Sequence, residues 1–182
     1  MARTTSRRHR PKVWRLPLDA VRARHAWAAP VAFAFAFLES IALFSLLIPG
    51  WAVLVSIGVL AAASDIPFWP VWIAGAVGAA LGDWISYWLG YKFKEPISQV
   101  WPLSRYPDLL PRGHAFMERW GVLSIFIGRF FGPLRAAVPL VAGILEMPYW
   151  TFQIANFISA LVWVWSLLAI GDLGAGLLRW LA

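Results

Sequence analysis

The chain of 182 residues has no cysteine, and only 14% of its residues are charged. Without cysteine there is no disulfide, no thiolate metal ligand and no thiol nucleophile. A water-soluble domain carries about 25% charged residues, so the shortage of charge excludes an ordinary soluble globule. Histidine is scarce as well. His9, His25 and His114 all lie outside the apolar stretches, and no grouping of His, Asp and Glu has the spacing of a metal site. Hydrolytic chemistry needs a nucleophile with its base, or a metal. No enzymatic activity, cofactor or metal is therefore expected.

What is present is apolar and aromatic: 60% hydrophobic residues, thirteen tryptophans and a mean hydropathy of +0.66. The net charge of +7 resembles a nucleic-acid signature only until it is placed along the chain. Arg3, Arg7, Arg8, Arg10, Lys12, Arg15, Arg22 and Arg24, against Asp19, supply all of it, and the remaining residues are neutral in sum. Residues 1–25 read as a basic tail, disordered or lying on a surface. The apolar run after it is too long for a signal-peptide core, and no small-residue cleavage site follows. Arg7-Arg8 lie too far upstream for a good twin-arginine signal, while a transit peptide fits on composition alone. The simplest reading is a cytoplasmic tail obeying the positive-inside rule, attracted by anionic head groups rather than nucleic acid.

Five apolar stretches follow, at 26–48, 50–64, 68–91, 121–145 and 149–171. About 20 apolar residues cross a hydrocarbon core of ~30 Å, and the third and fifth stretches meet that length. Both have tryptophans near their ends, as interfacial belts do. Pro49-Gly50 splits the first pair, and Gly132-Pro133 with Pro139 breaks the fourth, with Gly143 counted among its breaks. Proline removes a backbone donor and clashes with the preceding turn, and broken backbone at membrane depth must be satisfied by protein or a wet cavity. The expected architecture is an all-α membrane protein of two units, each a re-entrant hairpin followed by a transmembrane helix. A single membrane domain, 26–182, would then hold hairpin 26–64, helix 68–91, connector 92–120, hairpin 121–145 and helix 149–171. Within the connector, Arg112 to Trp120 can form a short amphipathic helix, with His114 solvated or interfacial.

Residues 67–90 and 148–171 align without gaps. Pro67/Pro148, Trp69/Trp150, Ile73/Ile154, Ala74/Ala155, Ala79/Ala160 and Gly90/Gly171 coincide. Each follows a proline-broken apolar stretch, so the repeat unit is hairpin plus helix, with the two units expected to be inverted. Transporters use that arrangement with the site at the repeat interface. Gly75, Gly78 and Gly82 form a small-residue face that suits helix packing.

Glu39, Asp83, Arg129 and Arg135 are the ionisable residues inside the apolar stretches; Glu146 and Asp172 sit at their ends. One charged side chain at helix centre costs roughly 2.5–3.5 kcal/mol on insertion scales, so these residues need partners. Glu39 and both arginines fall on broken segments, which predicts a shared site where one carboxylate faces two guanidiniums. The surplus positive charge suits an anionic head group, because each guanidinium is a fork matched to phosphate or carboxylate. Glu39 is also a candidate proton carrier, and Asp83 is a further candidate for substrate or proton binding.

These residues carry a family resemblance. FLES at 37–40 followed by Pro49-Gly50, ALGDWISYWLGY at 80–91, and FIGRFFGPLRAAVPLVAGILEMPYWTF at 126–152 resemble the DedA/VTT (SNARE-associated) membrane proteins. The last segment includes the Pro-x-x-Ala-Gly element from Pro139 to Gly143, and the resemblance covers about residues 30–176. It implies two facing re-entrant hairpins and kinship with lipid scramblases and proton-dependent bacterial transporters. Some of these move undecaprenyl phosphate across the cytoplasmic membrane in support of the cell envelope. By resemblance, the functional acid of the first hairpin falls on Glu39 and the functional arginines on Arg129 and Arg135. Family members often carry an acid just after the Pro-Gly; here it is Trp51, so a two-acid proton scheme would need Asp83 or Asp65. The leading expectation is a flippase or scramblase for a phosphate-bearing lipid. The alternatives are a non-transporting membrane scaffold and an intramembrane lipid phosphatase.

Overall fold

The computed structural model describes residues 15–42, 50–63, 66–94, 96, 99, 101 and 103–181. Among these the chain forms seven α-helices and no strand: α1 (Arg15–Ser40), α2 (Gly50–Ala63), α3 (Phe68–Phe93), α4 (Leu109–Trp120), α5 (Leu123–Gly128), α6 (Gly132–Ile144) and α7 (Tyr149–Leu181). Among the described residues, only α3 and α7 contain stretches long and apolar enough to cross a membrane, Phe68–Phe93 and Tyr149–Gly174. The apolar parts of α1, α2 and α6 (Trp27–Ser40, Ala52–Ala61 and Leu134–Ile144) fall short of the ~20 residues a crossing needs.

One expectation gains detail and one is corrected. Residues 15–25, read as disordered or lying on a surface, are helical, because α1 begins at Arg15. The backbone is already helical there, and α1 runs unbroken through the boundary drawn from charge. Pro139, expected to interrupt the fourth stretch, sits inside α6. Its ring removes one helical donor, yet Val138, Leu140 and Val141 on either side are buried, and tertiary packing keeps the turn helical. Gly132-Pro133 does act as a break: α5 ends at Gly128, Arg129 to Phe131 leave the helix, and α6 restarts with proline in its first turn. That position suits proline, whose missing donor would find no partner there anyway. The turn carrying Pro49 lies outside the described residues; Gly50 is the first residue of α2.

α3 and α7 are antiparallel. Trp72 Nε1 donates to the Leu161 carbonyl at 2.8 Å, Asn156 Nδ2 to the Ala80 carbonyl at 2.9 Å, and Tyr87 stacks on Phe152 with ring centroids 4.4 Å apart. Residue numbers rise along one helix as they fall along the other. Equivalent helices of the sequence repeat therefore run in opposite directions.

Each long helix also packs on the broken stretch of the other unit. A Cβ on Gly90 of α3 would collide with the Leu140 carbonyl of α6, and one on Gly143 with the Tyr87 carbonyl of α3. In the other half, a Cβ on Gly171 of α7 would collide with the Val55 carbonyl of α2, and one on Gly58 with the Leu168 carbonyl of α7. Gly143 is thus a close-packing residue within α6 and not a break. Gly78 and Gly82 seat α3 against the Phe33 and Phe37 carbonyls of α1, which is the packing role expected of that face.

Three apolar clusters result. Ala36, Leu54, Ala76, Trp163, Val164 and Leu168 belong to one, Tyr87, Met117, Ile125, Val141 and Phe152 to a second, and Ala42, Ala136 and Leu140 form a small third. Asp83 and Ser86 of α3, and Asn156 and Ser159 of α7, lie between the first two clusters along both helices.

Candidate functional site

At the crossing of α3 and α7 the structure gathers all four charges singled out in the sequence. Glu39, Asp83, Arg129 and Arg135 are each less than a tenth exposed. Glu39 ends α1 and Asp83 lies in the middle of α3. Arg129 caps α5, and Arg135 occupies the first turn of α6. The interrupted helix between Gly128 and Gly132 points two guanidiniums six residues apart toward the same region, which a continuous helix could not do, since six residues are about 240° of rotation.

The pairing differs from the expected trio. Arg129 Nη2 binds Asp83 Oδ2, whereas Arg135 Nη1 binds Glu39 Oε1. Two carboxylates face two guanidiniums, so the cluster is formally neutral and the predicted excess of one positive charge is absent. Asp83, a candidate site residue outside the expected trio, supplies the second acid from an unbroken helix.

Neutral polar groups complete the site. Arg129 Nε donates to Ser159 Oγ at 3.0 Å and Nη2 to Asn156 Oδ1 at 2.6 Å. Arg135 Nη2 donates to Ser40 Oγ at 3.0 Å, and its guanidinium lies 3.9 Å from the centroid of the Trp163 ring, a cation–π contact. Asn156 is itself held by the Ala80 carbonyl. Ser86 accepts from the Ala42 amide at 2.8 Å and so fixes the end of α1 on α3. Ser40, Asn156 and Ser159 escaped the sequence reading. Their signal was polarity within otherwise apolar runs (FLES, IANFIS), weaker than charge but of the same kind. Trp163, one tryptophan among thirteen, had no signal at all.

The cluster is dense but not saturated. Asp83 Oδ1, Arg129 Nη1 and Arg135 Nε are buried with no hydrogen-bond partner among the described residues. Such atoms are costly in an apolar medium, and here two donors and an acceptor converge where helices of both units meet.

The remaining sequence candidates lie elsewhere. Glu146 is exposed and pairs with Lys94, linking the end of α3 to the turn after α6. Asp172 is exposed on α7, and His114 is half-buried on α4. Asp65 lies outside the described residues, as does the side chain of Trp51.

A profile of the VTT domain matches residues 48–173. The inner membrane protein YabI of Escherichia coli is 40% identical over 128 residues, covering 70% of this chain and 50% of YabI. The inner membrane protein YqjA of the same organism is 34% identical over 146 residues, 78% of this chain and 64% of YqjA. An uncharacterized membrane protein of Mycobacterium tuberculosis is 35% identical over 123 residues, 64% of this chain and 56% of that protein. The chain thus spans about half the length of the curated relatives it matches. No solved structure shows significant similarity. The matched region contains Asp83, Arg129 and Arg135 together with the paired glycine crossings, and the chain is a membrane protein of the DedA/VTT family.

Proposed function

We propose that this chain is a lipid flippase or scramblase of a bacterial inner membrane, with the amino terminus on the cytoplasmic side. It passes a phosphate-bearing head group, such as that of undecaprenyl phosphate, through the Glu39/Asp83/Arg129/Arg135 cluster. The observation that carries the reading is this pair of buried acid–arginine contacts, contributed by both units at the crossing of two antiparallel helices. Inverted repeats place transport sites in such positions, and ionisable groups at membrane depth are functional by default. The short apolar helices α2 and α6, with the short described apolar part of α1, support re-entrant segments that reach the cluster without crossing the bilayer. The inner-membrane names of YabI and YqjA support the location.

A neutral cluster has no preference for an anion. Protonating Asp83 or Glu39 would leave it with a charge of one, and a guanidinium released from its carboxylate is a bidentate phosphate receptor. Proton uptake and head-group binding then become one event, and proton coupling needs no acid at Trp51. On this reading the chain is a carrier and not an enzyme, with both acids engaged by arginines.

The test is reconstitution into vesicles with labelled undecaprenyl phosphate or labelled phosphatidylcholine, with and without a pH gradient. Transport of the phosphate lipid should rise with the gradient and fall at least tenfold in Arg129→Ala and Arg135→Ala. Parental rates in both variants would remove the cluster from the mechanism.

A further inference from the structure

A groove of about 880 Å³ lies outside the buried cluster, along α4 and the start of α6. Arg105, Arg112 and Arg119 line it with Asp108 the one acid among its lining residues. Its apolar wall includes Phe116, Trp120, Phe131 and Leu134. Arg112 and Arg119 are seven residues apart on α4, two helical turns on the same face and about 10 Å along the axis. An adjoining face of α4, with Leu109, Gly113 and Met117, is buried, and Gly113 meets Ala137 and Val141 of α6. The exposed arginines are therefore presented from a helix anchored along its neighbouring face.

Three features identify the occupant. All three arginines are exposed, and with Asp108 they give the groove a formal charge of two. The aromatic wall lies beside them, so a charged group and an apolar group of one ligand are met together. Exposed Tyr106 and Trp120, both lining the groove, mark this edge as the level of the membrane–water boundary, where such rings concentrate. We propose that the groove is a binding site for the head group of an anionic phospholipid, with the phosphate on the arginines and the upper acyl chain along Phe116, Phe131 and Leu134. Neither the VTT-domain match nor transport through the buried cluster requires this site, and it stands if that transport reading fails.

The test uses the full chain in nanodiscs of phosphatidylcholine and phosphatidylglycerol in equal amounts, with retained lipids identified by native mass spectrometry. The parent should retain phosphatidylglycerol preferentially. Each of Arg105→Gln, Arg112→Gln and Arg119→Gln should lower that preference by up to about fivefold, the worth of one basic residue near an anionic surface, and the triple variant should abolish it. Lys92→Gln, an exposed cation at the end of α3 outside the groove, should leave it unchanged. Helical content by circular dichroism checks the fold, and the single variants carry the test if the triple variant does not fold. Three results would overturn the proposal: parental preference in the folded variants, an equal loss in Lys92→Gln, or displacement of the lipid by inorganic phosphate, which would make the site one for the free anion.

Discussion

Arg129 and Asp83 are ion partners across 46 residues of sequence, one in the break between α5 and α6 and the other in the middle of α3. Asn156 and Ser159 of α7 bind the same guanidinium, so one arginine joins three parts of the chain. Removing one member of a buried pair strands its partner, at a cost of about 3–5 kcal/mol. Asp83→Asn should therefore lower the thermal midpoint in detergent markedly, and Asp83→Asn with Arg129→Gln should recover part of the loss. A double variant no more stable than the single would show that Arg129 does not depend on this carboxylate.

Glu39 and Arg135 form the second pair, and exchanging them separates a carrier from a scaffold. Glu39→Arg with Arg135→Glu preserves opposite charges, and a purely structural pair should regain stability and function together. In a carrier the arginine must stay against Trp163 and Ser40 to offer its fork from that direction. The exchanged chain is expected to regain stability without transport. Transport at parental rates would favour the scaffold.

The glycine crossings give a steric prediction. Gly143→Ala places a methyl group against the Tyr87 backbone, and Gly171→Ala places one against Val55 and Gly58. Overpacking of this kind costs typically 1–3 kcal/mol. Gly174 has open space where its Cβ would be, so Gly174→Ala should be neutral or slightly stabilising. Thermal melts of the three variants side by side check the contrast.

Trp69 and Trp150 are equivalent in the repeat, and both are largely exposed, at 68% and 74%. They begin helices that run in opposite directions, so they should face opposite sides of the membrane. The chain has no cysteine, and Trp69→Cys and Trp150→Cys can each be probed without background. An impermeant maleimide added to sealed vesicles should label one and spare the other. Labelling of both from one side would refute the inverted arrangement.

Much of this architecture was legible because membranes make sequence signals simple. The stretches at 68–91 and 149–171 became α3 and α7 with starts at Phe68 and Tyr149, and Gly132-Pro133 marked a real restart of the helix. Charge in an apolar run is costly, and for that reason Glu39, Asp83, Arg129 and Arg135 were visible at once. Which acid meets which arginine was not legible. That depends on the rotation of α3 about its axis, set by Gly78, Gly82 and Gly90 at three separate contacts. Pro139 misled because its local effect is unfavourable in any helix, while the packing that buries its neighbours Val138, Leu140 and Val141 comes from distant parts of the chain, such as Gly90 of α3 on Leu140.

The crossed packing has a consequence in time. Asp83 is made 46 residues before Arg129, and Glu39 96 residues before Arg135. At about 5–20 residues per second, the interval is roughly 2–9 s for the first pair and 5–19 s for the second. During it, both acids have entered or approached the bilayer without their arginines, and α3 has α1 beside it but not yet α6 or α7. The first unit therefore has to be kept protonated, at the membrane surface, or within the insertion machinery until the second unit arrives. Assembly of this protein is a matter of holding one half open for the other.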